Sequence, residues 1–406
     1  MPLQIKRPKV PWLYSSAAET HMSLALHSSK QRPLFSFCWS SSYRRHAWVF
    51  FLLLLAGTST VIFLSPATSV WLSQIARPAT HSTTTNRPPE ASPVVTTRVG
   101  NIHLYPFPPN VGLMQPGRDA QGHIWVGEMT GNLLARLDPQ TGSVATWQPP
   151  NARDGMMTTT VDTQGRVWFV EQNANYLGRF DPQLQTFQTF PLGTAHGRPL
   201  GPQALQFDPS GKLWFTGYIG GQIGRLDPTT GAITRWDVSP VCGCQYPYPF
   251  GLAVTPSGQI WFGLLFGGAI GHLDPATGRI TLYHLRDPKA AVYSMSSDTK
   301  GRLWFTELMS GTLGMIDPAT NQVVERSVPA SLGRPAGLYA IVTTQQNTVW
   351  FVSNNPNALI RYEPVSNTYT FYQMADSFAA PYGLTLDPTT GWLWFTSINS
   401  IGELTP

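Results

Sequence analysis

Seven tryptophans, Trp125, Trp168, Trp214, Trp261, Trp304, Trp350 and Trp394, sit in near-identical phrases: HIWVGE, RVWFVE, KLWFTG, QIWFGL, RLWFTE, TVWFVS and WLWFTS. They recur at intervals of 43, 46, 47, 43, 46 and 44 residues. A second phrase follows in each of the first six units: LLARLDPQTG, YLGRFDPQLQ, QIGRLDPTTG, AIGHLDPATG, TLGMIDPATN and ALIRYEPVSN. A unit this short, made of brief apolar runs and Gly/Pro turns, cannot bury its own faces and must stack on its neighbours. A period in the forties with those turns implies propeller blades of four strands. The predicted fold is all-β, a seven-bladed β-propeller over residues 99–406.

Each unit parses into four strands. Strand a is a short apolar run such as PFGLAVT (249–255), and strand b is the tryptophan phrase. Strand c is IGRLD or its variant, and strand d is a run such as ITRWDV or ITLYHL. Asp-Pro-x-Thr-Gly between c and d is a turn in which Pro presets φ, Asp caps its own backbone and Gly takes positive φ. The repeated tryptophans are expected to fill the space between blades. The seventh unit has strand a (Tyr382–Asp387), strand b (Leu393–Ser397) and strand c (Ser400–Thr405) but no strand d. Asn101–Tyr105 resembles the d strands, and pairing it beside strand c would close the ring and cover a sheet edge.

Composition agrees with this reading. Charged residues are 12 %, aromatics 12 %, and there are 36 glycines and 36 prolines, which excludes coiled coils, helical bundles and charged disordered chains. Residues 1–100 hold 10 Lys/Arg and 2 Asp/Glu, whereas residues 101–406 hold 17 and 20, so the basic character is N-terminal. No basic stripe marks the repeat region for nucleic acid, and a monomer is expected. Ala47–Leu64 is uncharged and mostly apolar, with Lys30, Arg32, Arg44 and Arg45 before it. This predicts a cytoplasmic basic tail (1–46), a transmembrane signal anchor (47–68), a disordered Ser/Thr/Pro-rich linker (69–98) and an extracytoplasmic propeller. A cleaved signal peptide, which would release the propeller, is the rival reading.

The phrases G-x-[IL]-W-F-T-E and I-G-R-[LI]-D-P-x-T-G resemble the virginiamycin B lyase (streptogramin B lyase) family across essentially all of 101–406. The resemblance implies a seven-bladed propeller that opens cyclic depsipeptides or lactones by elimination, a carbon–oxygen lyase assisted by Mg2+. It also implies His and Glu side chains at the channel mouth, where a small-molecule or peptide ligand would bind. The alternatives are a non-catalytic ligand- or protein-binding propeller and, ranked last, a lactone hydrolase.

Two rings of positions face the expected mouth. Residues closing strand b are Glu128, Glu171, Gly217, Leu264, Glu307, Ser353 and Ser397; residues opening strand a are Met114, Met157, Gln203, Phe250, Tyr293, Tyr339 and Tyr382. Glu128, Glu171 and Glu307 match the family's W-F-T-E glutamates and are candidate ligands for a hard cation. They are equally acceptors for loop amides. The family places histidines in the second ring, and this chain has tyrosines and Phe250 there instead. Elimination needs a base for the proton α to a carbonyl, and a tyrosine with a pKa of ~10 is a poor one. His196, in the glycine-rich loop Gly193–Pro199, is the candidate replacement, with Glu307 as a second catalytic group. Phe250, Tyr293, Tyr339 and Tyr382 either plug the channel or form an apolar cup for substrate. Arg198 and Arg334 either bind a substrate anion or pair with the rim glutamates. Cys242 and Cys244 predict a local disulfide.

Overall fold

In every repeat the tryptophan phrase and the phrase after it form adjacent antiparallel strands. The computed structural model describes residues 92–98, 100–150, 155–330, 336–374 and 381–405. Within each blade the strands lie in the order a, b, c, d. Blade one is Gly117–Arg118, Ile124–Gly127, Leu134–Leu137 and Val144–Trp147; blade two is Met156–Val161, Val167–Glu171, Tyr176–Asp181 and Thr186–Pro191. Blade three is Pro202–Phe207, Leu213–Gly217, Gln222–Leu226 and Ile233–Asp237; blade four is Pro249–Val254, Ile260–Leu264, Ala269–Leu273 and Ile280–His284. Blade five is Val292–Ser297, Leu303–Glu307, Thr312–Asp317 and Gln322–Ser327; blade six is Ala336–Thr343, Val349–Asn355, Asn357–Glu363 and Thr368–Gln373. Blade seven is Leu384–Leu386, Leu393–Thr396, Ser400–Thr405 and, as its outer strand, Asn101–Pro106.

The repeated letters have local causes. The strand-b phenylalanine lies flat on the strand-c glycine opposite it, and a Cβ on Gly178, Gly224, Gly271, Gly314 or Gly402 would overlap the ring. The tryptophan indole N–H donates to the aspartate of the preceding turn: Trp125 to Asp119 at 2.8 Å, Trp168 to Asp162 at 2.8 Å, Trp214 to Asp208 at 2.7 Å and Trp304 to Asp298 at 3.1 Å. That bond satisfies a buried donor that would otherwise be costly. The threonine of W-F-T reaches the next blade: the Oγ1 atoms of Thr216, Thr306 and Thr396 donate to the carbonyls of Phe250, Tyr339 and Met114. The tryptophans themselves are at most 3 % exposed, as expected of packing between blades.

The ring closes where the sequence places the closure. Asn101 pairs with Thr405, and the antiparallel register runs to Pro106 opposite Ser400. Val94–Arg98, expected within the linker, instead forms a fifth strand parallel to Thr368–Tyr372 on the outer edge of blade six. Its β-branched run VVTT supplies strand propensity, and the outer edge of the blade supplies unpaired backbone groups.

The expected membrane anchor is corrected. Residues 47–68 lie outside the described residues, and among the described residues no helix is long and apolar enough to cross a membrane. A spanning helix needs about 20 apolar residues, whereas the described helix, Ser239–Cys242, has 4. The membrane partner, the single-pass topology and the extracytoplasmic location that rested on the anchor are therefore withdrawn.

Candidate functional site

Strand a of every blade lines the central channel, which encloses a cavity of about 240 Å³. Its mouth end carries the ring that opens strand a. Phe250, Tyr293, Tyr339 and Tyr382 pack edge to face or tilted on one another, with centroids 4.9, 4.9 and 5.1 Å apart. Phe250, Tyr339 and Tyr382 are only 2–3 % exposed, so these rings close the channel rather than form an open cup. Burial raises the pKa of Tyr293 and Tyr382 and pushes Tyr339 up to about 12. The phenols stay neutral and provide no base. Below them the wall is polar: Gln115, Thr158 and Gln206 bond to backbone groups of neighbouring blades.

The three glutamates sit apart. Glu128 is buried, its carboxyl against Gly131 of its own b–c turn, and burial raises its pKa. Glu171 is fully buried opposite Tyr176, whose pKa rises by burial and by the charge of Glu171. Glu307 is 1 % exposed and opens onto a different cavity of about 300 Å³, shared with Arg286, Asp287, Ser310, Thr312 and Glu325. Alternation explains its direction. Thr306 reaches towards blade six, so Glu307 must point to the opposite face, towards the Arg286–Pro288 loop. Among the described residues no group of three or more His, Cys, Asp or Glu side chains could hold a metal ion. The glutamates nominated for Mg2+ thus do not form one donor set among the described residues.

The Glu307 cavity brings a buried carboxyl together with hydroxyls, further carboxyls and a guanidinium. Ser310 Oγ donates to Glu307 Oε2 at 2.7 Å, while Oε1 has no donor among the described residues. Burial, then the charges of Glu325 and Asp287, push the Glu307 carboxyl up to about 7, against the Ser310 bond. Arg286 Nη2 donates to the Glu325 carbonyl at 3.4 Å, and the Arg286 backbone N–H donates to Glu325 Oε2 at 3.0 Å. A carboxyl that titrates near neutrality, beside hydroxyls and a guanidinium, can take a proton from carbon and steady the resulting oxyanion. The sequence motif singled out Glu307 but missed Ser310, Glu325 and Arg286. These come from the b–c turn, strand d and the preceding d–a loop, and only the blade's pleat brings them together.

The other candidates lie elsewhere. His196 sits at φ 50° in the hairpin between Thr194–Ala195 and Arg198–Pro199. Its Nε2 lies 2.8 Å from Asp237 Oδ2, at the end of the outermost strand of blade three, with half of the side chain exposed. His196 does not line the channel cavity. Arg198 stacks over Tyr246 at 4.2 Å, and its Nη1 has no acceptor among the described residues. Arg334 lies outside the described residues. Cys242 and Cys244 form a disulfide. His272 stacks on Trp261 at 4.5 Å and His123 Nδ1 contacts Asp119 Oδ2 at 2.9 Å, both structural roles.

No family model and no curated protein sequence matches the chain. Solved structures do. A streptogramin B lyase structure is 26 % identical, with 75 % of this chain and 97 % of that one covered at a TM-score of 0.67. Virginiamycin B lyase from Staphylococcus aureus is 22 % identical, with 75 % and 99 % covered at a TM-score of 0.66. A catalytically inactive variant of that enzyme with quinupristin matches equally. With the repeat phrases, the seven blades and the ring closure, these similarities identify the chain as a seven-bladed β-propeller homologous to the virginiamycin B lyase family.

Proposed function

We propose that this propeller is a carbon–oxygen lyase that opens a cyclic depsipeptide or lactone by elimination, with Glu307 as the base. The observation that carries the reading is a nearly fully buried carboxyl, poised near neutral pH, in a polar cavity of about 300 Å³ on the blade ends. In the step, Glu307 Oε takes the proton α to a carbonyl. The C–H electron pair forms the new C=C bond as the Cβ–O ester bond breaks, and the ester leaves as a carboxylate. Arg286 stands where it can pair with the oxyanion that develops on the way. No water is consumed, so product and substrate are isomers.

Mass spectrometry of a streptogramin B incubated with the propeller, with and without Mg2+, tests this. An open ring of unchanged mass supports elimination, and a gain of one water indicates lactone hydrolysis instead. Glu307→Gln should lower the rate by ~10²–10⁴, the loss expected for a general base. A non-catalytic binding propeller is the second reading, favoured by the tyrosines at positions where the resemblance implies histidines. Intact substrate after incubation with folded protein would select it.

A further inference from the structure

Six blades provide an internal reference for the seventh. In each of blades one to six a cation or imidazole covers the strand-b tryptophan. Arg136, Arg179, Arg225 and Arg361, all from one position of strand c, lie 5.7, 5.4, 5.5 and 5.9 Å from the rings of Trp125, Trp168, Trp214 and Trp350. His272 at that position stacks on Trp261. Blade five has Met315 there, and Arg302 covers Trp304 instead, at 5.5 Å. Blade seven breaks the rule. The strand-c position is Glu403, and among the described residues no cation covers Trp394.

Two more departures meet at the same place. The residue two before the tryptophan is His123, Arg166, Lys212, Gln259, Arg302 or Thr348 in the other blades, but Trp392 here, and it is 40 % exposed. The residue ending strand a is Val161, Phe207, Val254, Ser297, Thr343 or Leu386 in blades two to seven, but Arg118 in blade one. Arg118 pairs with Asp387 at 2.9 Å. Together they line a cleft of about 540 Å³ at the seam of blades seven and one, among the a–b turns and so on the face opposite the mouth. The volume is that of a small-molecule site.

The charges of the cleft favour a cation. Arg118 is engaged by Asp387, and His123 by Asp119. Asp138 and Glu403 remain. Asp138 accepts from the Gln140 N–H and the Thr141 hydroxyl. Glu403 accepts a long 3.4 Å bond from the Tyr105 hydroxyl, with His103 opposite it across the strand pair. We propose that this cleft binds a small guanidinium compound, which lies against the exposed ring of Trp392 beside the buried Trp394, near where the other blades place an arginine of their own, with Glu403 as its counter-charge. An exposed tryptophan face and a largely buried carboxylate at the cleft wall are the groups that recognise such a cation.

The test compares n-butylguanidine with n-butylurea, its neutral near-isostere, by tryptophan fluorescence and calorimetry on the intact protein. The guanidinium is expected to bind at least about tenfold more tightly. Glu403→Arg restores the side chain of the other blades, so it should fold, fill the cleft from within and abolish binding. Trp392→Lys, which copies Lys212 of blade three, removes the platform and should weaken binding by a similar factor. Equal binding of the two compounds, no saturable binding of n-butylguanidine, or undiminished binding in folded Glu403→Arg or Trp392→Lys would each overturn the proposal. A Gly-Arg-Gly peptide that binds as tightly as n-butylguanidine would assign the guanidinium to an arginine side chain, and failure of the peptide would assign it to a free small molecule.

Discussion

Glu307→Gln should make the propeller more stable at alkaline pH and less active. Burial and the neighbouring Glu325 raise the folded-state pKa from 4.5 to about 7. In the folded protein the charged form is therefore disfavoured, and the folded state holds the proton more tightly than the unfolded chain. The associated stability is complete below the unfolded value, falls as pH rises towards 7, and is gone above it. A shift of that size corresponds to roughly 3 kcal/mol as an upper figure, at 1.36 kcal/mol per unit. Glutamine keeps an oxygen for the Ser310 hydroxyl and carries no charge. Urea unfolding of the two proteins should thus agree at about pH 4, and the variant should gain between roughly 1 and 3 kcal/mol at about pH 8. Taking the difference between the two proteins cancels the carboxyls remote from Glu307 and leaves Glu307 together with its neighbour Glu325. A pH-independent difference, or a variant less stable at pH 8, would refute the assignment of a near-neutral buried carboxyl. If the gain appears together with loss of ring opening, the carboxylate is retained at a cost in stability for its chemistry.

Three further outcomes test the architecture. Deleting residues 99–107 removes the outer partner of Ser400–Thr405 and should lower the melting temperature by more than about 5 °C; a change within a degree or two would rule out the closure. Thr255 stands where blades one, two, three and five have an aspartate, and the Trp261 indole N–H has no acceptor among the described residues. Thr255→Asp should therefore stabilise by about 1 kcal/mol in denaturant titration, and no gain would show that the acceptor is not what the turn lacks. Gly314→Ala drives a methyl into the Phe305 ring and should cost about 1–3 kcal/mol, whereas Gly211→Ala, with open space around it, tests only the positive φ of its turn.

The fold was legible because its tryptophan is written seven times and its other rules recur in several blades each: the Trp-to-Asp bond in four, the Phe-on-Gly contact in five and the Thr link in three. The Trp-to-Asp bond, the Phe-on-Gly contact and the Thr link to the next blade each correspond to a letter of the repeat, so periodicity alone located blades and closure. The candidate site was legible only in part. The W-F-T-E motif singled out Glu307, but its direction depends on Thr306 turning the other way, and its partners Arg286 and Glu325 carry no repeat signal. His196 looked free to reach the channel because its contact with Asp237 spans 41 residues that no local pattern connects. Val94–Arg98 was hidden by the surrounding Ser, Thr and Pro, which outweighed a short β-branched run.

A residue that appears in every blade serves stacking, because no ligand is met seven times in the same way. Specific chemistry must then reside where the blades differ. The channel ring differs between its halves: Met114, Met157 and Gln203 in blades one to three face Phe250, Tyr293, Tyr339 and Tyr382 in blades four to seven. The aromatic half closes the mouth and keeps its phenols protonated, which moves any acid–base chemistry off the axis. Glu307 opens onto a cavity off the axis, and the Arg286–Pro288 loop and Glu325 that complete that cavity belong to no repeated phrase. At the opposite face Glu403, Trp392 and Arg118 depart from the repeat at three separate positions and meet in one cleft. Of the three, Glu403 forfeits a contact that most other blades keep, while Trp392 and Arg118 bring an indole ring and a charge to positions that carry no indole and no charge, respectively, in the other blades. The lost arginine-on-tryptophan stack is the clearest loss, and a ligand cation is the group that would restore it.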